Sequence, residues 1–131
     1  MKEKFEDLIK VMKKLRKECL WDRKQTFETL VPYTLEEAQE IAEAVEKKDW
    51  ENLKEELGDV LYHVLFYSEI AEEKELFDIK DVMEEVREKL VRRHPHVFGN
   101  VKVDGVEEIL ENWKKIKEEE KRNKINKKKQ K

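Results

Sequence analysis

The sequence predicts an all-α chain whose helices pack as an antiparallel bundle. Three observations carry that expectation. Apolar residues recur at spacings of three and four, the period of a helix with one buried face; no stretch alternates apolar with polar as a half-buried strand does. The breaks between periodic segments are short, which favours antiparallel neighbours. At 131 residues, 38% hydrophobic and 47% charged, the chain has material for one domain with one modest core and much solvated helix surface.

Lys2 to Glu18 opens the chain as a helix, with Phe5, Leu8, Ile9, Met12 and Leu15 on one side. "CLWDRKQTFETLVPY" then keeps no long period, and Pro32 with its aromatic neighbours suggests an ordered loop with one short turn at Thr26 to Leu30. Thr34 and Glu37 have the spacing of a capping box, starting a second helix that reaches about Lys47. Asp49 can cap a third, to about Lys74, and Asp78 a fourth, to about Arg92. "HPH" stops the fourth, because the residue before a proline disfavours helix. "NVKVDG" reads as a loop, and Val106 to about Lys121 as the last helix, with Ile109, Leu110, Trp113 and Ile116 on one side. No internal repeat or heptad run is present.

Composition excludes several classes. No window approaches the ~20 apolar residues of a membrane span, and "MKEKFEDLIK" mixes acids into what a signal peptide would keep basic. A soluble, cytoplasmic protein is expected. The single cysteine, Cys19, rules out an intramolecular disulfide and fits a reducing compartment. Net charge is −3, but seven Lys/Arg and no acid lie between Lys121 and Lys131, so removing those seven charges leaves residues 1–120 at −10. An acidic body argues against nucleic-acid binding by the folded domain, and the basic tail, residues 122–131, is expected to be solvated and disordered.

Two segments carry the candidate chemistry. On a wheel of ~100° per residue, Ala38, Ile41, Ala42 and Val45 define a core face on the second helix, flanked by Glu37 and Glu40. On the third, Leu53, Leu57, Val60, Val64 and Ala71 form the stripe, with Glu56 and Asp59 at nearly the same offset and His63 one turn on. If the two helices pack antiparallel, four carboxylates converge. Crowded carboxylates resist desolvation and must take up protons or bind a cation, and an all-oxygen set selects a hard one, most simply Mg²⁺. Against this, charged helices scatter acid pairs by chance, and Glu37 has a ready job in the capping box. Gly58, in mid-helix at ~1 kcal/mol relative to Ala, suggests that something approaches the backbone closely.

"EEAQE" followed by "ELGD" resembles the EExxE and ExxD signature of the MazG-like, all-α nucleoside triphosphate pyrophosphohydrolases. "LWDRKQTFETLVPYTLEEAQE", "ELGDVLYHVLFYSEIAEE", "FDIKDV", "KLVRRHPHVFG" and "NWKKIKEEE" resemble MazG segments in order, so the likeness covers residues 1–121. It implies a dimeric helical bundle and Mg²⁺-dependent hydrolysis, with Mn²⁺ as a substitute, of an NTP or dNTP to the monophosphate and pyrophosphate, as in house-cleaning of surplus nucleotides. Under the resemblance Glu37, Glu40, Glu56 and Asp59 match the metal ligands and Glu36 an outer-shell acid. Lys89, Arg93 and Lys117 match a phosphate clamp, and Trp21, Asp22 and Gln25 a nucleotide-side loop, where Leu20 and Phe27 depart from the family's usual residues. Trp113 either packs on a base or fills core. His94 and His96, around Pro95, read as helix-end packing rather than metal ligands.

Two alternatives remain at this level: a helical protein-binding or regulatory module, against which all four acids stand, and a narrower dUTP/dCTP or phosphoribosyl-ATP pyrophosphohydrolase. A homodimer is expected on a further ground. A third helix of about 26 residues, ~39 Å long, outruns a second of about 14 and leaves Leu65, Phe66, Tyr67 and Ile70 for a partner to cover.

Overall fold

The computed structural model describes residues 1–129, and these hold helices but no strand. The helices are α1 (Lys2–Glu18), α2 (Leu20–Lys24), α3 (Phe27–Lys47), α4 (Trp50–Glu73), α5 (Ile79–Arg93), α6 (Pro95–Phe98) and α7 (Val106–Lys129). The all-α expectation holds. Where one domain is expected, the chain divides into two units, Met1–Val82 and Met83–Lys131. The first holds the core: Met12, Leu30, Leu65, Phe66 and Ile70, with Phe5, Leu8, Ile9, Leu15 and Phe27 packed against it. In the second, no described residue is fully buried.

α3 starts seven residues before the expected Thr34. Thr26 caps it, its hydroxyl accepting from Thr29 N at 3.2 Å while Thr29 Oγ1 accepts from Thr26 N at 2.8 Å. Pro32 therefore lies inside the helix, in its second turn and exposed, where its ring removes one backbone donor without ending the helix. Thr34 is consequently no cap, and Glu37 is released from the capping role its spacing suggested. Lys48, in the left-handed region at φ 55°, closes α3, and Asp49 caps α4 by accepting from Asn52 N at 3.2 Å. So short a connection makes α3 and α4 an antiparallel hairpin.

The hairpin's seam differs from the expected one. Leu30, Thr34, Glu37, Ile41 and Ala44 turn inward on α3, whereas Ala38, Ala42 and Val45 are exposed. On α4, Glu56, Val60 and His63 turn inward, and Leu57 and Val64, expected in the core, face out beside Leu61. The stripes Val31, Leu35, Ala38, Ala42, Val45 and Leu57, Leu61, Val64 each lie about 100° beyond the seam residues, one position on. Right-handed helices running in opposite directions turn oppositely when viewed from one end, so both stripes reach the same side of the hairpin.

Leu65, Phe66 and Ile70, expected at a dimer interface, are instead interior: Phe66 is 0% exposed. The longer α3 and the packed α1 cover them, leaving no overhang. Asp78 caps α5 as expected, accepting from Asp81 N at 3.0 Å while Asp81 accepts from Asp78 N at 3.0 Å. α7 runs past Lys121 to Lys129 through a stretch with no glycine or proline and many lysines, which are good helix formers. The remainder of the expected disordered tail, residues 130 and 131, lies outside the described residues. No described helix is long and apolar enough to cross a membrane.

Candidate active site

Antiparallel pairing of α3 with α4 brings the two acid pairs into one seam. Glu37, Glu56 and Asp59 each offer an oxygen within 4.8 Å of the others. Glu40, one turn along α3, faces the same group, Glu56 being the first cause of its raised carboxyl value. Glu56 is 7% exposed, and Glu37 Oε2 and Glu56 Oε2 are buried without a hydrogen-bond partner. Such a group is costly unless something compensates it.

Protonation is one compensation. Burial, then the charges of Asp59, Glu40 and Glu36, push the Glu37 carboxyl above the usual carboxylate range, partly opposed by its hydrogen bond with Glu56. Glu40 is raised chiefly by its hydrogen bond with Glu56, and Glu56 chiefly by that with Glu37. A divalent cation is the other compensation: hard, anionic oxygens with unfilled lone pairs are the donor set that Mg²⁺ takes. The residues fit such an ion. Gly58 borders open space, with nothing within 4 Å of the position a Cβ would take, so the close approach expected there is not made by any described residue.

Beside the acids lies a cavity of about 360 Å³ lined by Trp21, Leu30, Tyr33, Glu36, Glu37, Asp59, Tyr62 and His63. Trp21 and Tyr33 meet edge to face, centroids 5.7 Å apart, with both rings about half exposed. Glu36 thus lines the cavity while remaining outside the close triad. Asp22 and Gln25, expected on a nucleotide-side loop, are turned inward. Asp22 is 4% exposed and accepts from Tyr62 Oη at 2.7 Å. Gln25 donates to Trp21 O at 2.9 Å and accepts from Thr29 Oγ1 at 2.8 Å. Both organise the turn that presents Trp21. Arg16 completes that turn, donating to the carbonyls of Asp22 and Gln25, the latter at 3.0 Å, and pairing with Glu73 at 2.9 Å.

Sequence reasoning missed Tyr33, Thr34 and Tyr62. Tyr62 follows Asp59 by three and so shares its side of α4, a signal available in the spacing. Thr34 was hidden by its likeness to a cap.

The second unit holds a separate cavity, of about 540 Å³, lined by Arg93, Leu110, Trp113, Lys114, Lys117, Lys121 and Lys124 together with Glu118 and Glu120. Arg93 and Lys117 of the expected clamp meet there beside Trp113; Lys89 is not among its lining residues. Arg93 pairs with Glu120 at 2.9 Å, and Arg92 reaches the same carboxylate at 2.7 Å. Those bonds, Arg93's foremost, hold the Glu120 carboxyl down at about 2. Trp113 Nε1 is buried without a partner, and the His94 ring lies 5.9 Å from the indole. His94 Nδ1 meets Leu90 O at 2.5 Å, in line with the helix-end role expected of it.

Residues 25–98 match the MazG nucleotide pyrophosphohydrolase domain. Over 119 residues the chain is 49% identical to the nucleoside triphosphate pyrophosphohydrolase/pyrophosphatase MazG of Thermotoga maritima, covering 89% of this chain and 45% of that protein. Over 116 residues it is 43% identical to the nucleoside triphosphate pyrophosphohydrolase of Escherichia coli K12, covering 86% of this chain and 44% of the relative. The chain therefore spans less than half the length of these curated relatives. The crystal structure of a mazG-related protein from Thermotoga maritima superposes with a TM-score of 0.73 at 34% identity, over 86% of this chain and 98% of that one.

Proposed function

The chain belongs to the MazG nucleotide pyrophosphohydrolase family, and from that premise we propose that its α3–α4 seam hydrolyses a nucleoside or deoxynucleoside triphosphate to the monophosphate and pyrophosphate. The observation that carries this reading is the seam itself: three carboxylates within 4.8 Å of one another, with two buried oxygens lacking a partner. An apolar core gains nothing from such a cluster.

Glu37, Glu56 and Asp59 would hold a Mg²⁺ or Mn²⁺ ion, with Glu40 bonded to Glu56 at its edge. Bound there, the ion supplies charge neutralisation for the phosphates and polarisation of a water for attack on phosphorus. The water oxygen forms a bond to the α-phosphorus as the bond to the bridging α–β oxygen breaks; pyrophosphate departs with that oxygen, and the water's protons pass to solvent and the product phosphates. Glu36, lining the cavity beside the triad, is suited to an outer hydrogen-bonding role. Trp21 and Tyr33 offer the aromatic surface on which a base stacks. In the second unit, Arg93, Trp113 and Lys117 line a cationic cavity whose chemistry suits phosphate oxygens. House-cleaning of surplus or non-canonical nucleotides would use this reaction. The test is pyrophosphate release from a panel of NTPs, dNTPs and damaged nucleotides, with and without Mg²⁺; no release from any of them overturns the reading.

The homodimer is proposed on a different face from the one expected. The apolar stripes of α3 and α4 lie side by side and uncovered, with Leu35 67%, Leu57 52% and Leu61 41% exposed. Each Å² removed from water is worth ~25 cal/mol, and a second copy offers an identical face for isologous packing. The acid cavity lies on the other side of the seam and stays open.

A further inference from the structure

The Thr34 hydroxyl meets three polar atoms: Leu30 O at 3.2 Å, His63 Nδ1 at 3.1 Å and Tyr67 Oη at 2.7 Å. It has one hydrogen to give. Leu30 O can only accept, so all three contacts are hydrogen bonds only if Thr34 donates there and accepts from both Tyr67 O–H and His63 Nδ1–H. Any other assignment sets two lone pairs against each other across a partly buried contact. The network therefore places the imidazole proton on Nδ1 and leaves Nε2 bare.

Among the described residues Nε2 has no hydrogen-bond partner, and His63 lines the 360 Å³ cavity. His63 lies one turn beyond Asp59 on α4 and meets Thr34, one turn before Glu37 on α3. Trp21 packs against Tyr33 and against Phe66, three residues further along α4 than His63. The ring thus stands between the acids and the aromatic pair. The groups facing His63 are Asp59 and Tyr62 on its own helix, and Glu36, Glu37 and Thr34 on α3. Burial moves the imidazole down from its ordinary value, against the pull of Asp59.

The geometry points to His63 as a specificity-determining residue for the reaction proposed above, its Nε2 accepting a hydrogen bond from a sugar hydroxyl of the nucleotide. The inference rests on that reading of the acid seam. A nucleotide whose phosphates meet the acids and whose base meets the aromatic pair carries its sugar between them, where a bare nitrogen acceptor complements a hydroxyl donor. Thr34 and Tyr67 are positioning residues: they fix the tautomer and the ring.

The experiment has two arms. In the free protein, ¹⁵N NMR of the imidazole should show Nε2 unprotonated, and Thr34→Val should convert the ring to a mixture of tautomers; a wild-type ring protonated at Nε2 overturns the inference. In turnover, an NTP, its 2′-deoxy and its 2′,3′-dideoxy counterparts are compared. Wild type should favour a hydroxyl-bearing sugar by about tenfold in kcat/KM, as loss of one hydrogen bond implies. His63→Leu should bring the hydroxylated substrates down to the dideoxy level, and His63→Gln, which keeps an acceptor, should restore part of the difference. Discrimination that survives His63→Leu, absence of discrimination in wild type, or an equal loss on all three substrates overturns the inference while leaving the hydrolase reading intact. A wild-type protein that turns over none of them overturns both.

Discussion

Tyr62 donates its phenol hydrogen to Asp22 across 2.7 Å, joining α4 to the turn that presents Trp21, 40 residues earlier in the chain. Asp22 is almost wholly buried, and the phenol, through burial first and then this bond, is held above its ordinary value. Tyr62→Phe should therefore leave a buried carboxylate short of its donor and cost about 1–3 kcal/mol, read as a lower urea midpoint with an unchanged slope. Trp21 should become more mobile, visible as a change in its fluorescence. An unchanged midpoint would mean that water replaces the phenol without cost.

The seam predicts how the metal-free protein responds to pH. Glu37, Glu40 and Glu56 all bind protons more tightly in the folded chain than at the ordinary carboxylate value of 4.5. The folded state thus carries the extra protons above that value, and stability falls as pH rises through the window up to the raised values. Between 4.5 and the raised values, metal-free wild type should therefore lose stability with rising pH relative to Glu56→Gln, a comparison in which the opposite contribution of His63, whose imidazole is moved down, cancels. Saturating Mg²⁺ should reverse the loss at neutral pH, by ~2.7 kcal/mol at a hundredfold excess over Kd. Glu56→Gln should raise the metal-free melting temperature at neutral pH and abolish the Mg²⁺ response. A Glu56→Gln protein whose metal-free melting temperature follows pH as wild type does would contradict the shared direction of the three shifts.

How much of this was legible in the sequence differs from residue to residue. "ELGD" put Glu56 and Asp59 on one side of α4, and the two-residue link Lys48–Asp49 made the partner of Glu37 predictable. Amphipathicity could not say which face of each helix its own chain would cover. Ala38, Ala42, Leu57 and Val64 form apolar stripes as regular as any core stripe, yet they face outward, because the seam between α3 and α4 is filled by Thr34, Glu37, Glu56 and His63. Pro32 misplaced the start of α3, since a proline costs a helix one donor and an exposed second turn tolerates it. Asp22 and Gln25 looked like free polar groups because the guanidinium that gathers their carbonyls, Arg16, comes from another helix.

Turnover should depend on charge at the seam more than on its shape. Glu40→Gln and Asp59→Asn each remove one negative charge and are nearly isosteric, so both should reduce kcat by at least about a hundredfold while far-UV circular dichroism stays unchanged. EDTA should stop the reaction, and Mg²⁺ or Mn²⁺ restore it. Ca²⁺, larger and looser in coordination, should restore it poorly. Full activity in Ca²⁺ would mean that the ion only neutralises charge; near wild-type turnover in Asp59→Asn would remove Asp59 from the metal assignment, and in Glu40→Gln would remove Glu40 from the site.

The assembly prediction separates two aromatic or aliphatic residues that amphipathicity alone treats alike. Phe66 is 0% exposed and Leu61 41% exposed, although both lie on α4 within five positions. A charge at Phe66 must be buried among Met12, Leu30 and Ile70, so Phe66→Asp should unfold the first unit, at a cost above about 4 kcal/mol. A charge at Leu61 meets solvent in a single copy and should change its stability by no more than about 0.5 kcal/mol. In a homodimer formed through the outward stripes, however, each Leu61→Asp carboxylate would be buried in the interface without a partner, at a cost that opposes association. Sedimentation at micromolar concentration should then show wild type as a dimer and Leu61→Asp as a folded monomer. If wild type sediments as a monomer, or Leu61→Asp remains a dimer, the stripes of α3 and α4 are not the surface on which two copies meet.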